Sequence, residues 1–395
     1  MIKKLLPTMI GAALVGAMAP AVADVTVFGH LDTSIDYVDR NDSRTNLNCN
    51  TCSIGFKGSE DLGNGLKAIF KIDFQYDMTE RNNGKVTQSK ASHTAVTKVN
   101  TTRTNVQQTT GTKPNSVVNG VSTKSDSFRG VTNVNGHADS IIDRDQWLGL
   151  AGNFGQVRFG TISTIYKSHG AMIDPIYRTS VQARGIGLQS GLHMGAGEAG
   201  QGRAEDTIRY DSPSWNGLKV GATYTIQTDN GGSTDNPWGA GIEYKNGPFL
   251  VFADYITSDN GGDDDAYKLG GKWTFGNYSL YGQYEFDGGL ISSTGRAINA
   301  QGFGNKGDGA DVYEIGGTGT WGNNMLVAAY GHGDDTSGAE RDEFVDRVDN
   351  KYDVWELVGV HSLSKRTKIY GGYAAISPDT GSNLDVVTLG MKHLF

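Results

Sequence analysis

Cysteine is nearly absent: Cys49 and Cys52 are the only two in 395 residues. Proline occupies just eight positions. Beyond residue 23 no apolar run reaches 18 residues, which excludes a helical membrane protein. Positive charge is in deficit, at a net −8, so a basic nucleic-acid binder is excluded. The eight His are scattered and no Gly-x-Ser-x-Gly elbow is present. No nucleophile–base pair is therefore expected, and no enzyme. What abounds is glycine, at 56 positions, about twice the usual share. It follows no three-residue period, so the chain is not collagen-like. Mean hydropathy is −0.40, the value of a soluble protein. A transmembrane barrel looks the same, because only alternate strand residues meet lipid.

The first residues predict export. Lys3 and Lys4 precede an apolar stretch from Leu5 to about Pro20, and Ala21-Val22-Ala23 forms a small-x-small cleavage site. This reads as a bacterial signal peptide over 1–23, with 24–395 as the mature chain. Losing the two lysines takes the net charge from −8 to −10. Cys49-Asn50-Thr51-Cys52 then lies in an oxidising compartment. Two thiols cannot complete a tetrahedral zinc site, so a disulfide staple in the first outer loop is expected.

Period-2 alternation recurs throughout. Leu218, Val220, Ala222, Tyr224 and Ile226 share one face; Lys219, Gly221, Thr223, Thr225 and Gln227 share the other. Sixteen such segments begin near Val25, Ser53, Leu66, Arg144, Gln156, Asp206, Leu218, Trp238, Pro248, Ala266, Tyr278, Val312, Met325, Asp353, Thr367 and Leu384. Tight turns such as Asn153-Phe154-Gly155 and Lys245-Asn246-Gly247 alternate with long polar connections. A soluble β-sandwich would not require that alternation. The expected fold is all-β: a 16-stranded antiparallel transmembrane β-barrel with short periplasmic turns and long outer loops. Closure leaves no unpaired strand edge in hydrocarbon, and this many strands leave an aqueous lumen. Trp147, Phe159, Trp215, Tyr244, Trp273, Tyr278, Trp321 and Trp355 lie near strand ends, as expected for interfacial girdles.

Four stretches carry a family resemblance. They are Val27-Phe28-Gly29-His30-Leu31-Asp32, Gly55-Phe56-Lys57-Gly58-Ser59-Glu60-Asp61-Leu62-Gly63, Asp143-Arg144-Asp145-Gln146-Trp147-Leu148-Gly149-Leu150 and Thr207-Ile208-Arg209-Tyr210-Asp211-Ser212-Pro213. With the terminal Phe395, they resemble the Gram-negative general porins over nearly the whole mature chain. The resemblance implies a passive outer-membrane diffusion channel for small hydrophilic solutes and ions, without a cofactor. It implies a homotrimer, a third loop folded into each pore, and Phe395 as the assembly signal. Such porins often carry Arg where this chain has His30 and Ser53, which argues against a strongly basic pore wall.

The third loop, taken as 168–205, brings Asp174, Glu198 and Glu205 as candidate constriction acids. Strict alternation puts Lys71, Arg158 and Arg209 on the wet face opposite. Opposed charges at a constriction create a transverse field that sorts solutes. With His30 and Ser53 in place of two Arg, a weak preference leaning to cations is expected. The segment 79–140 is a long, low-complexity outer loop, with eight cations against Asp126 alone over 81–138. It reads either as a solvated loop or as a basic hairpin that grips lipopolysaccharide phosphates or a neighbouring subunit. Asp263-Asp264-Asp265 and Asp334-Asp335 lack EF-hand spacing, and no specific metal site is expected. An outer-membrane adhesin or structural barrel, its loops binding lipopolysaccharide or host surfaces, is the alternative function.

Overall fold

In the computed structural model, the described residues are 24–79, 141–194, 196–197, 202–226, 236–259, 263–294, 309–334, 351–379 and 382–395. The signal segment and nearly all of 79–140 lie outside them. The remaining chain forms sixteen barrel strands. These are β1 (Asp24–Asp39), β2 (Arg44–Cys49, resuming as Ser53–Gly63), β3 (Leu66–Tyr76), β4 (Ile141–Gly152), β5 (Gly155–Ser163), β6 (Arg203–Asp211), β7 (Leu218–Thr225) and β8 (Trp238–Asn246). They continue as β9 (Phe249–Asp259), β10 (Asp263–Phe275), β11 (Tyr278–Gly288), β12 (Val312–Trp321), β13 (Asn324–Gly333), β14 (Tyr352–Ser362), β15 (Thr367–Pro378) and β16 (Leu384–Leu394). Each pairs antiparallel with the next, and β1 closes on β16 from His30↔Leu394 to Asp39↔Asp385. A two-residue parallel pairing of Ala196–Gly197 with Arg203–Ala204 adds to the sheet.

Alternation decides which side is wet. In β1, His30, Asp32, Ser34 and Asp36 are buried towards the lumen, while Val27, Ile35 and Tyr37 are exposed. Leu389 and Leu148, 65% and 63% exposed, are outward positions of the same kind. They face hydrocarbon in a membrane, so their exposure marks the lipid band. Tight turns need residues that tolerate positive φ. Asn64 and Gly65 adopt φ of 52° and 76° between β2 and β3, as an Asn-Gly hairpin turn requires.

Two expectations are corrected. The Cys49–Cys52 disulfide is not in the first outer loop, which is only 40–43. It sits in a break inside β2, where residues 50–52 bulge between two stretches that both pair with β1. The bulge turns Asn50 into the lumen, where its amide donates to Asp32 Oδ1 and Ser34 Oγ, both at 2.8 Å. Sequence alone shows the Cys spacing but not that the strand resumes around it. Trp147 is not in the outer girdle. It pairs with Lys71 on the lumen side, and the Arg158 guanidinium lies 5.1 Å over its ring. Alternation itself sets this: Leu148 and Leu150 are exposed towards lipid, so the ring of Trp147 lies on the inner face.

The chain end completes the seam. Gly29 N–H donates to the Phe395 carbonyl at 3.0 Å, and Phe395 N–H to the Gly29 carbonyl at 3.2 Å. A Cβ on Gly29 would lie 2.0 Å from Phe395 Cζ, so the bare backbone is the seat of the terminal ring.

Candidate functional site

The connection between β5 and β6 leaves the wall after Ser163 and rejoins it at Arg203. Thr164 caps its helix α1 (Ile165–Ile173), accepting from the Lys167 N–H at 3.3 Å. Asp174-Pro175 ends α1, because a residue before proline is driven out of the helical region; Asp174 is extended at φ −72°, ψ 107°. A second turn, α2 (Ala183–Ile186), stops at Gly187 in the left-handed conformation, φ 88°.

An apolar stripe drives this loop into the barrel. Ile173 packs with Leu250, Phe252 and Tyr281. Tyr166 and Leu192 pack with Ile256 and Ala266. Ile176, Ile186 and Leu188 pack with Val327, Tyr352 and Val354. Wall glycines admit the approach: a Cβ on Gly241 would lie 2.3 Å from Ile165, and one on Gly331 2.6 Å from Leu188. Each fully buried large side chain contributes about 1.5–3 kcal/mol, so the stripe outweighs the entropy of fixing a loop this long only as a set.

Polar anchors tie the loop to an acidic wall. Tyr166 OH donates to Glu285 at 2.8 Å, and Ser190 N–H to the same carboxylate at 3.0 Å. Gln189 donates to Glu314 at 2.7 Å. His169 Nδ1 lies 2.6 Å from Asp254 Oδ1, and Lys268 3.3 Å from Asp254 Oδ2. Further round, Tyr352 OH donates to the Gly187 carbonyl at 2.9 Å and Ser180 bonds Thr388 at 2.8 Å. The loop thus touches the wall from β8 to β16 and divides the lumen.

The other side of the loop meets a wall of different character. Lys71 pairs with Asp145 at 3.0 Å, which also receives Arg203 at 3.2 Å. Arg144 pairs with Asp73 at 3.3 Å. Arg158 and Arg209 share Asp211, and Arg209 also donates to the loop's Ser168 at 2.8 Å. On the loop and on β16 beside it, Lys167, Arg178, Arg184 and Lys392 have no carboxylate within 4.0 Å among the described residues. Arg184 donates to Gln182, Tyr177 and the His193 carbonyl, and Lys392 to the Tyr177 carbonyl. Burial, then Arg203 and Arg184, holds the Lys167 ammonium well below its ordinary pKa.

Of the sequence-predicted residues, Lys71, Arg158 and Arg209 all lie on the lumen wall, already paired. Asp174 is on the loop but points into it. Its Oδ1 accepts from Ile176 N–H at 2.9 Å and its Oδ2 from Ala183 N–H at 3.1 Å, and it is 7% exposed. Burial pushes this carboxyl up to about 6. Glu205 is exposed near the start of β6. Glu198 lies outside the described residues. His30 is buried with Nδ1 3.0 Å from the Thr51 carbonyl, and Ser53 is buried too. The cations missed from sequence are Arg144, Lys167, Arg178, Arg184, Arg203 and Lys392. Alternation marks Lys392 and Arg144 as candidates, but nothing local tells that Arg178 and Arg184 share a face of the loop.

Comparison with known proteins agrees with this architecture. A family model described as Gram-negative porin matches residues 11–381. The outer membrane porin protein 32 of Delftia acidovorans is 26% identical over 416 aligned positions, covering 98% of this chain and 92% of that one. The major outer membrane protein P.IB of Neisseria meningitidis serogroup B is 25% identical over 255, covering 62% of this chain but only 56% of that one. The chain therefore matches little more than half the length of that relative. A solved anion-selective porin from Comamonas acidovorans superposes with a TM-score of 0.61 at 22% identity, over 95% of this chain and 100% of that one. A closed sixteen-stranded barrel, an inward-folded loop after β5 and a family match across nearly the whole sequence lead to one assignment: the chain belongs to the Gram-negative porin family.

Proposed function

We propose that the chain is a passive diffusion channel of the outer membrane and that its constriction favours small anions. As a porin-family barrel it resides in that membrane. No cofactor and no catalysis enter the proposal. The observation that carries the selectivity is the group of three cations, Arg178, Arg184 and Lys392, that lack carboxylate partners beside the loop; Lys167, buried and held well below its ordinary pKa, is not counted among them. Paired wall charges largely cancel at a distance, whereas unpaired ones act on a passing ion in a narrow, low-dielectric passage. The acids Glu285, Glu314 and Asp254 lie on the far side of the loop and are bound to its donors. This reverses the lean to cations that His30 and Ser53 suggest. The similar solved porin from Comamonas acidovorans is anion-selective, which adds support.

The test is the zero-current potential in a KCl gradient across a planar bilayer. The wild type should prefer chloride. Arg178→Ala with Arg184→Ala should move the potential towards potassium. A pore that conducts but prefers potassium would overturn the selectivity, and a folded barrel that conducts nothing would overturn the channel itself. A homotrimer, removal of 1–23 on export, and lipopolysaccharide contact by 79–140 belong to the same proposal. Mass measurement in detergent and N-terminal sequencing for a start at Asp24 check the first two.

A further inference from the structure

The outer wall carries a groove that the pore does not use. Inter-strand register sets the outward side chains of β12 to β16 in rows. The row nearest the short turns reads Trp321, Asn324, His361, Ile369, Met391. The next reads Gly319, Leu326, Gly359, Gly371, Leu389. Gly359 pairs directly with Gly371, so two neighbouring strands present no side chain between Leu326 and Leu389. Three strand spacings separate those leucines, about 14 Å. The result is an open groove of about 370 Å³ with an almost wholly apolar lining. Packing does not demand these glycines. A Cβ on Gly359 would meet only the Gly371 carbonyl at 3.8 Å, and one on Gly371 nothing nearer than 3.5 Å. Neither has a positive φ.

The groove has a polar mouth. His361 Nδ1 bonds Asn324 Oδ1 at 2.8 Å across it. Beyond His361 the β14–β15 turn exposes Lys365 and Arg366. Four to seven residues separate that turn from Gly359, the stretch over which a glycerophospholipid passes from headgroup to mid-chain at about 3.3 Å per residue. Trp321 at the mouth marks the same interfacial level. Short turns face the periplasm in such barrels.

We propose that this groove binds one glycerophospholipid of the periplasmic leaflet, an acyl chain lying over Gly359 and Gly371 and an anionic headgroup held by Lys365 and Arg366. A second copy of the chain is the rival occupant, and the oligomeric state separates the two.

The experiment titrates the folded protein in detergent with phosphatidylglycerol or phosphatidylcholine and counts retained lipids by native mass spectrometry. Gly359→Leu with Gly371→Leu should remove the tightest-held lipid of either kind. Lys365→Gln with Arg366→Gln should weaken phosphatidylglycerol about fivefold per cation removed and leave phosphatidylcholine unchanged. Both variants should conduct as the wild type does, which separates this site from the pore. Unchanged lipid retention in the leucine variant overturns the proposal. So does a change of oligomeric state with lipid retention intact, which would make the face a subunit contact. If the leucine variant does not fold, the glutamine variant decides alone, since its residues lie in an exposed turn.

Discussion

Asp174 distinguishes two accounts of the constriction loop. If its carboxylate faced the lumen, removing the charge would change ion selectivity. The structure instead uses it as a clamp across nine residues of loop, holding Ile176 N–H at 2.9 Å and Ala183 N–H at 3.1 Å. Asp174→Ala leaves both buried donors without an acceptor, at about 1–3 kcal/mol each. That is enough to unlatch the turn between α1 and α2. The expected outcome is a noisier single-channel current with a nearly unchanged reversal potential. The pH dependence has a definite sign. Burial raises the carboxyl from 3.8 to about 6, so the closed loop holds a proton more firmly than an opened one. Its stability rises as pH falls through about 6 and levels off near 4. The two-unit difference corresponds to about 3 kcal/mol that opposes closure at pH 7 and vanishes in acid. The wild-type channel should therefore be quieter at pH 5 than at pH 7. Asp174→Asn should lose that component of the change, because an amide does not titrate, while other buried acids still contribute in both proteins. A reversal potential that shifts in Asp174→Ala without added noise would refute the clamp and restore the carboxylate to the eyelet.

Two further outcomes follow from the wall. Cys49→Ser with Cys52→Ser should lower stability by about 2 kcal/mol, the chain-entropy value for so small a ring, and still yield a barrel. A denaturant midpoint with strand content from circular dichroism checks this, and loss of the barrel would contradict it. Gly29→Ala puts a methyl where the Phe395 ring sits, with Cβ 2.0 Å from Cζ. The temperature at which the barrel unfolds on a semi-native gel should fall, whereas Gly359→Ala, with open space around it, should leave that temperature unchanged.

The wall was legible because alternation is a local property. Every strand start read from sequence lies within three residues of the observed one, apart from β2, whose first stretch begins at Arg44, ahead of the break at residues 50–52. That break is the type of feature alternation misses: the chain leaves the ladder for three residues and returns to the same partner. The site was less legible, for a physical reason. A polar residue on the inner face of a barrel can meet water or meet a loop folded inside, and period 2 gives both the same signature. Lys71 and Glu285 both stand on the inner face of their strands, yet Lys71 lines the passage and Glu285 lies under Ser190 and Tyr166. What separates them is where Ile173, Ile186 and Leu188 find apolar wall, and that depends on strands about 80 to 180 residues further along the chain. The same packing turns Asp174 towards its own backbone and leaves Arg178 and Arg184 beside the passage. Charge at the constriction is thus set by the apolar face of the loop, so a substitution at Leu188 can alter which ions pass without touching a charged residue.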